Sequence, residues 1–558
     1  MPSRFSLYWH TLRHLRPIQL YGRIAFRLAR PQPDSRPPPP VRDLRGPWVA
    51  PARRRPSLVG PREFHFLNID GSLDEIGWDG PEREKLWRYN QHYFDDLNAI
   101  DAEDRHAWHE TVLRDWVRAN PPAAGNGWEP YPTSLRIVNW VKWSLSGNAL
   151  PQPCVESLAV QTRWLTRRLE KHLLGNHLFA NAKALVFAGL FFEGEEAATW
   201  LSRGLRLLSR EMPEQILADG GQFERSPMYH ALALEDVLDL CNVATAYEGA
   251  VGFDASRQGA DWRNRARQML GWLDAMCHPD GEIAFFNDAA MGIAPSPSEL
   301  TAYAKRLGID CAEVEAPITW LTASGYARLA SGPAVVLVDM APVGPNYLPG
   351  HAHADTLSFE LSLFGLRVLV NSGTSCYGDS AERTRQRGTA AHNTVVVDGA
   401  DSSEVWSGFR VARRAMPINP EVHDHQGLGA SCGHDGYRRL PGRVTHHRRW
   451  RLTEAGLDVE DTLQGSCDHA EARFHFHPSL RVTLRDGRRG SIGLANGRTL
   501  NWSAMIGTAR VESSTWHPWF GESVPNCCLV VRLEQGRAAT RFEWDEEPGG
   551  DDAHPVPE

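Results

Sequence analysis

In the stretch Gly350-His351-Ala352-His353-Ala354-Asp355, two histidines and a carboxylate alternate with alanines. On an extended segment this alternation turns His351, His353 and Asp355 to one face, and Leu357, Phe359 and Leu361 continue it. The spacing therefore predicts one strand running from a polar site into a core. Histidines at i and i+2 suit one bound metal, or a metal ligand beside a general base; they equally suit a strand mouth carrying partly exposed imidazoles. Two further polar residues favour chemistry: Asn371 in Val370-Asn371-Ser372-Gly373-Thr374, and His392 in Ala391-His392-Asn393-Thr394.

A second group sits at two expected helix starts. In Gly175-Asn176-His177-Leu178 the glycine fits a helix C-terminus and Asn176 the next N-cap, whereas Ser226-Pro227-Met228-Tyr229-His230 supplies an N-cap serine, a proline at the first helical position and a tyrosine in the first turn. Asn176 and Tyr229 lie 53 residues apart, about two helices plus loops, so in a ring of helical hairpins both open at the same end. Helix N-termini favour a bound carboxylate and lower the pKa of a nearby phenol, which would make one wall of an anion-binding cleft. The plainer alternative is that Asn176 caps a helix and Tyr229 packs. The segments Trp87-Arg88-Tyr89-Asn90-Gln91-His92-Tyr93-Phe94 and Trp128-Glu129-Pro130-Tyr131 are rich in side chains that stack on or hydrogen-bond to sugars, with aromatic packing between helices as the competing explanation.

The elements that must hold these residues change character along the chain. Arginines run through the first thirty residues without an apolar core, so no secretory signal is read there and no membrane-spanning segment follows. Leu12, Leu15, Leu20, Ile24 and Leu28, with Arg13, Arg16, Arg23 and Arg27 among them, fit a basic amphipathic helix that either lies on a membrane or docks on the protein. Pro31 to Pro56 reads as an extended, proline-rich linker. From about Pro81 to Ile318 the apolar spacing is helical and predicts about ten helices in hairpins. From about Thr319 to Trp544 short strands alternate with turns, predicting an antiparallel sandwich. The expected organisation is a multidomain α+β chain: residues 1–60 a basic helix and linker, 61–318 an incomplete (α/α) toroid, 319–544 an antiparallel β-sandwich, and 545–558 a disordered acidic tail.

Composition narrows the function classes. With 42% hydrophobic and 23% charged residues and a net charge of -8, the chain reads as a globular protein for which nucleic acid is a poor partner. Nine cysteines without a C-x-x-C pair indicate neither a zinc ribbon nor a dense disulfide framework, and adjacent Cys527 and Cys528 read as structural.

Helical hairpins followed by a sandwich, carrying in order Gly175-Asn176-His177, Met228-Tyr229-His230, Gly350-His351-Ala352-His353-Ala354-Asp355 and Ala391-His392-Asn393-Thr394, resemble the heparinase II/III superfamily of polysaccharide lyases, which includes heparin lyases and related alginate lyases. The resemblance implies a cleft between toroid and sandwich and an acidic polysaccharide as partner. Asn176, helped by His177, would neutralise a uronate carboxylate, Tyr229 would act as catalytic acid or as acid and base, and His351 as its partner base. Asn90, His92, Trp128, His230 and Arg387 complete the expected substrate contacts. His353, position 371 and His392 would hold a structural zinc, and no organic cofactor is implied. Asn371 stands where many metal-binding relatives carry aspartate, which removes an anionic ligand. A tight hairpin turning at Gly365 would also set Asn371 opposite Phe359 rather than His353. Related lyases are often periplasmic, although no export signal is visible.

In β-elimination a base takes the C5 proton beside the uronate carboxylate and the bond from C4 to the glycosidic oxygen breaks. An amide and a helix N-terminus quench the carboxylate charge, a phenol protonates the leaving oxygen, and an imidazole shares the proton transfer. Arg383, Arg385 and Arg387 would bind further carboxylates or sulfates, or are solvated surface arginines. Three rivals follow: an (α/α)-toroid glycoside hydrolase using Glu224 and Asp288, a metal-dependent hydrolase or deacetylase using His351, His353 and His392, and a non-catalytic polysaccharide-binding or assembly protein of the same fold.

Overall fold

The computed structural model describes residues 4–250, 253–310, 316–425 and 427–545; the expected acidic tail lies outside the described residues from position 546 onward. The chain begins with two helices, α1 (Arg4–Leu12) and α2 (Pro17–Leu28), and continues as an extended stretch over residues 31–56 that follows the helical domain. Arg42 N–H donates to the Phe191 carbonyl and Arg45 N–H to that of Ala246, so the proline-rich stretch satisfies its backbone against helix ends.

A three-stranded antiparallel sheet (58–72), absent from the sequence expectation, and α3 (Leu73–Ile76) precede the helical hairpins. These are α4 (Lys85–Tyr93), α5 (His106–Ala119), α6 (Pro130–Leu145), α7 (Gln152–Arg167), α8 (Gly175–Phe191), α9 (Glu195–Gln215), α10 (Pro227–Ala246), α11 (Ala255–Ala275) and α12 (Pro297–Arg306). In α8, Leu178, Leu185 and Phe187 are buried along with nearly every other position, and Lys183 is buried among them by pairing with Asp236 and Asp239 of α10. In α9 the apolar residues Trp200, Leu201 and Leu208 keep one face, and Glu195 and Glu196 occupy the first turn, where the helix dipole favours them.

The second half is built from antiparallel sheets. An eight-stranded sheet packs over a layer formed by a five-stranded and a four-stranded sheet, which join where Leu369 bridges Phe476. The strand Ala334–Asp339 is buried at every position: Ala334, Val336 and Val338 enter the sandwich core, while Val335 and Leu337 pack with Trp272 of α11 and with Met276 just after it. The next strand, Phe359–Leu363, repeats the division with polar groups, since Glu360 and Ser362 both hydrogen-bond His278 on the helical side, at 2.8 and 2.7 Å. The two halves are thereby locked along one sheet.

The long strand expected through residues 351–361 is shorter than its pattern. It begins only at Phe359, because Leu357 takes a left-handed backbone (φ 65°), and residues 351–358 form a loop. The hairpin does turn at Phe364 and Gly365, with Leu361 paired to Leu369.

Candidate active site

A cavity of about 1170 Å³ opens between the helical ring and the sandwich. Asn176, His177, Tyr229 and His351 all line it, together with Tyr131, Glu224 and Tyr377.

Tyr229 is placed by its helix start. Ser226 caps α10 by accepting from the Tyr229 N–H at 3.1 Å, Pro227 occupies the first turn, and the Ser226 hydroxyl donates to the carbonyl of Asp288. The Tyr229 ring then lies against the imidazole of His351, centroids 3.9 Å apart, and its hydroxyl is 2.9 Å from that of Tyr377. Burial, reinforced by Tyr377 and Asp288, pushes the Tyr229 phenol well above its ordinary range. This reverses the expectation that the helix N-terminus would lower it: desolvation outweighs a half-charge of dipole.

His351 is oriented from behind by Asp288, whose Oδ2 lies 2.9 Å from His351 Nδ1; that contact makes Nδ1 the protonated nitrogen and leaves Nε2 free to accept. Asp288 also contacts His353 Nε2 at 2.9 Å, accepts from Thr374, and takes two hydrogen bonds from Arg383, all without solvent exposure. Burial alone would raise the Asp288 carboxyl, but the Arg383 guanidinium and the two histidines hold it well below the usual range. On the other side of His351, Glu224 Oε2 sits 3.8 Å from Nε2 and makes no hydrogen bond among the described residues. Burial raises the Glu224 carboxyl, which keeps it protonated more readily than an exposed glutamate.

Asn176 is not an N-cap. Helix α8 begins at Gly175, so Asn176 is its second residue and the cap position is Leu174. Gly175 has φ 55° and a Cβ there would meet Leu348 at 2.4 Å, so glycine is required for the turn and the close approach. The Asn176 amide, half-buried on the cavity wall, therefore stands beside the unsatisfied N–H groups of the first turn. His177 stacks on Tyr131, centroids 4.5 Å apart, and its Nδ1 lies 3.1 Å from Glu170. Burial would lower the His177 imidazole, but Glu170 and further carboxylates raise it above its ordinary value.

Four expected substrate contacts lie elsewhere. His92 is fully buried between Trp78 and Trp116, accepts from the Trp116 indole at 3.0 Å and is lowered by burial to about 3. Trp128 packs between Trp116 and Trp164 in the same core. His230 points away from the cleft to the Met269 carbonyl at 2.9 Å and is lowered to about 4. Arg387, lowered by burial to about 9, ties together the carbonyls of Ala352 and Gly408. Asn90 does line the cavity, although its amide bonds Leu86 of its own helix.

The histidine pair expected to hold metal is present: His353 Nδ1 faces His392 Nε2 at 3.2 Å, and burial keeps both imidazoles neutral. The carboxylate that joins them is Asp355, the three donor atoms lying within 4.8 Å of one another. Asn371 has its side chain engaged elsewhere, the oxygen accepting from Asn393 N–H at 3.2 Å and the amide 3.4 Å from Ser358. Two imidazoles and one carboxylate fit a zinc-like cation.

Sequence reasoning did not find Tyr377 or Glu170 as site residues, it named Tyr131 only within a sugar-stacking segment, and it weighed Glu224 and Asp288 only as hydrolase acids.

Two protein-family models match the chain: "Heparinase II/III N-terminus" over residues 81–305 and "Heparinase II/III-like, C-terminal" over residues 313–545. A heparin-sulfate lyase of Bacteroides stercoris is 24% identical over 402 residues, 61% of this chain and 58% of its own length, so the chain spans less than two thirds of that relative. FtsZ-localized protein C of Caulobacter vibrioides is 25% identical over 475 residues, covering 78% of each chain. Among solved structures, heparinase III superposes with a TM-score of 0.64 at 17% identity, covering 82% of this chain and 76% of that one. A heparan sulfate lyase mutant from Pedobacter heparinus gives 0.60 at 17% identity, covering 87% and 81%.

Proposed function

The chain belongs to the heparinase II/III family, and from that premise we propose that it cleaves a uronate-containing polysaccharide by β-elimination. The observation that carries the proposal is the contact of Tyr229 with an Asp288-anchored His351 in the cavity that Asn176 and His177 also line.

In this reading the uronate carboxylate rests against the Asn176 amide, the first-turn N–H groups of α8 and His177, whose protonated form Glu170 favours, and these together stabilise the enolate that forms when C5 loses its proton. His351 Nε2 takes that proton, because Nδ1 is already committed to Asp288. Tyr229, protonated by virtue of its burial, gives its hydroxyl proton to the leaving oxygen on C4, and Tyr377 holds that hydroxyl in place. A cation bound by His353, His392 and Asp355 would supply positive charge that stiffens the loop behind His351.

Asp288 is unsuited to the hydrolase alternative: locked by Arg383 and two histidines, it is absent from the cavity wall and cannot act as a second carboxylate facing a glycosidic bond. The cavity wall carries seven lysines and arginines, four histidines and seven carboxyl groups, a mixed lining that favours a polymer of low charge density over a heavily sulfated one. A second reading, binding of an acidic polysaccharide without cleavage, has one observation in its favour: the relative named as FtsZ-localized matches more of this chain than the Bacteroides stercoris lyase does.

The test is incubation with a panel of uronate polysaccharides while near-ultraviolet absorbance is followed. Elimination creates a conjugated double bond and a rising signal; binding with no rise on any uronate polymer would replace the lyase reading with the second one.

A further inference from the structure

Helices α1 and α2 carry an exposed apolar surface of which the cleft uses only Tyr8 and Leu12. Of the 17 large hydrophobic residues exposed in the described chain, eight lie between Phe5 and Leu28. In α2 the two faces separate cleanly. Gln19, Gly22 and Phe26 face the protein: Gln19 donates to the Tyr347 carbonyl, a Cβ on Gly22 would stand 3.2 Å from His172, and the Phe26 ring is 4.3 Å from the His172 ring. Leu20, Ile24 and Leu28, at i, i+4 and i+8, form the opposite stripe and are 52%, 62% and 77% exposed. In α1, Trp9 is 61% exposed and Phe5 80%. Docking has therefore consumed one side of the pair and left the other uncovered.

Charge decides what covers it. The first 30 residues contain six arginines and no acidic residue, in a chain whose net charge is -8. Arg16 is paired with Glu214, whereas Arg4, Arg13, Arg23, Arg27 and Arg30 are exposed and form no ion pair with an acidic side chain among the described residues. An aromatic and aliphatic stripe flanked by unpaired arginines is complementary to the headgroups and upper acyl region of an anionic bilayer. No helix of the described residues is long and apolar enough to cross a membrane, so the contact is with the surface.

We propose that α1 and α2 form a docking surface for an anionic lipid bilayer. The pair also roofs the cavity, since Tyr8, Leu12, Leu15 and Gln19 line it and the Trp406 indole donates to Thr11. Lipid contact would thus hold the cleft mouth at a membrane surface.

The test is flotation of the full chain with phosphatidylcholine vesicles, with and without phosphatidylglycerol. The chain is expected to float with the anionic vesicles and not with the neutral ones, and raised salt should weaken binding at least about tenfold. Leu20→Ser/Ile24→Ser/Leu28→Ser should lower the bound fraction by at least about tenfold while the chain keeps a cooperative melting transition, because more than half of each side chain is exposed. Failure to float with anionic vesicles, or equal flotation of the triple variant, would overturn the proposal. So would a concentration-dependent dimer, seen by light scattering and removed by the same variant, since it would make a second copy the occupant.

Discussion

Asp288 and Arg383 form a doubly hydrogen-bonded ion pair with neither side chain exposed, directly behind the imidazole of His351. The pair links the helical domain to α13 (Ala381–Arg387) of the sandwich half, so the charge that orients the base is fixed from both sides of the cleft. Asp288→Asn keeps the shape and removes the charge. Turnover should fall by about 10²-fold or more, by analogy with other carboxylate-oriented histidines. Stability should fall by about 3–5 kcal/mol, because Arg383 is left buried and unpaired. Denaturant titration and steady-state rates check the two effects separately, and an Asp288→Asn variant with native turnover would remove Asp288 from the mechanism.

The two neighbouring phenols should separate by role. Tyr229→Phe is expected to lower turnover by about 10³-fold, in the range for loss of a general acid, with the fold intact. Tyr377→Phe, which removes only the partner hydroxyl at 2.9 Å, should leave activity within about tenfold of the parent, the scale of one hydrogen bond. Full activity of Tyr229→Phe would be decisive against its assignment.

His177 gives the pH dependence. Its imidazole titrates above its ordinary value, so it is cationic at low pH and loses its charge as pH rises through the raised value. Substrate affinity should weaken over that window, and the stability from the Glu170 contact, fully present below the ordinary histidine pKa, should disappear over the same interval. His177→Gln should flatten KM against pH. A KM profile unchanged by that substitution would show that His177 does not meet the carboxylate.

The balanced cavity wall predicts a preference among polymers. Initial rates on non-sulfated or sparsely sulfated uronate chains should exceed those on densely sulfated ones, and the difference should shrink with added salt, since it arises from acidic wall residues such as Asp95 and Asp236. Faster cleavage of the most sulfated substrate would contradict this charge argument.

The His353, Asp355 and His392 donor set predicts bound metal in protein prepared without chelator. Elemental analysis should find about one zinc-like ion per chain, and chelation should lower the melting midpoint by several degrees, as removal of a structural ion does. An unchanged midpoint would assign the cluster to hydrogen bonding alone.

The helix start at Ser226 was legible because local rules govern it: a serine cap with proline after it positions Tyr229, whatever the rest of the fold does. The other start was misplaced, since Gly175 opens α8 instead of ending a helix and Asn176 is not its cap, and the histidine motif lies in a loop instead of the expected strand. His92, Trp128 and His230 were misread because burial is decided by which neighbours arrive, and the indoles of Trp78, Trp116 and Trp164 come from other parts of the ring. The three arginines of α13 show the same limit with a signal that was available. On a helix, Arg383 and Arg387 share a face and are buried, one against Asp288 and one against backbone carbonyls, while Arg385 points outward to Glu382. Helical spacing sets the exposed arginine apart from the buried pair, a distinction the sequence reading did not draw when it treated all three alike; only tertiary structure distinguishes the partner of Asp288 from the tie between loops.

The strand Ala334–Asp339 has no spare side, since odd and even positions serve different halves of the molecule. A substitution there must satisfy two unrelated sets of neighbours at once. The strand should therefore be the slowest-drifting part of the chain, and a poor place to divide it into independently produced fragments.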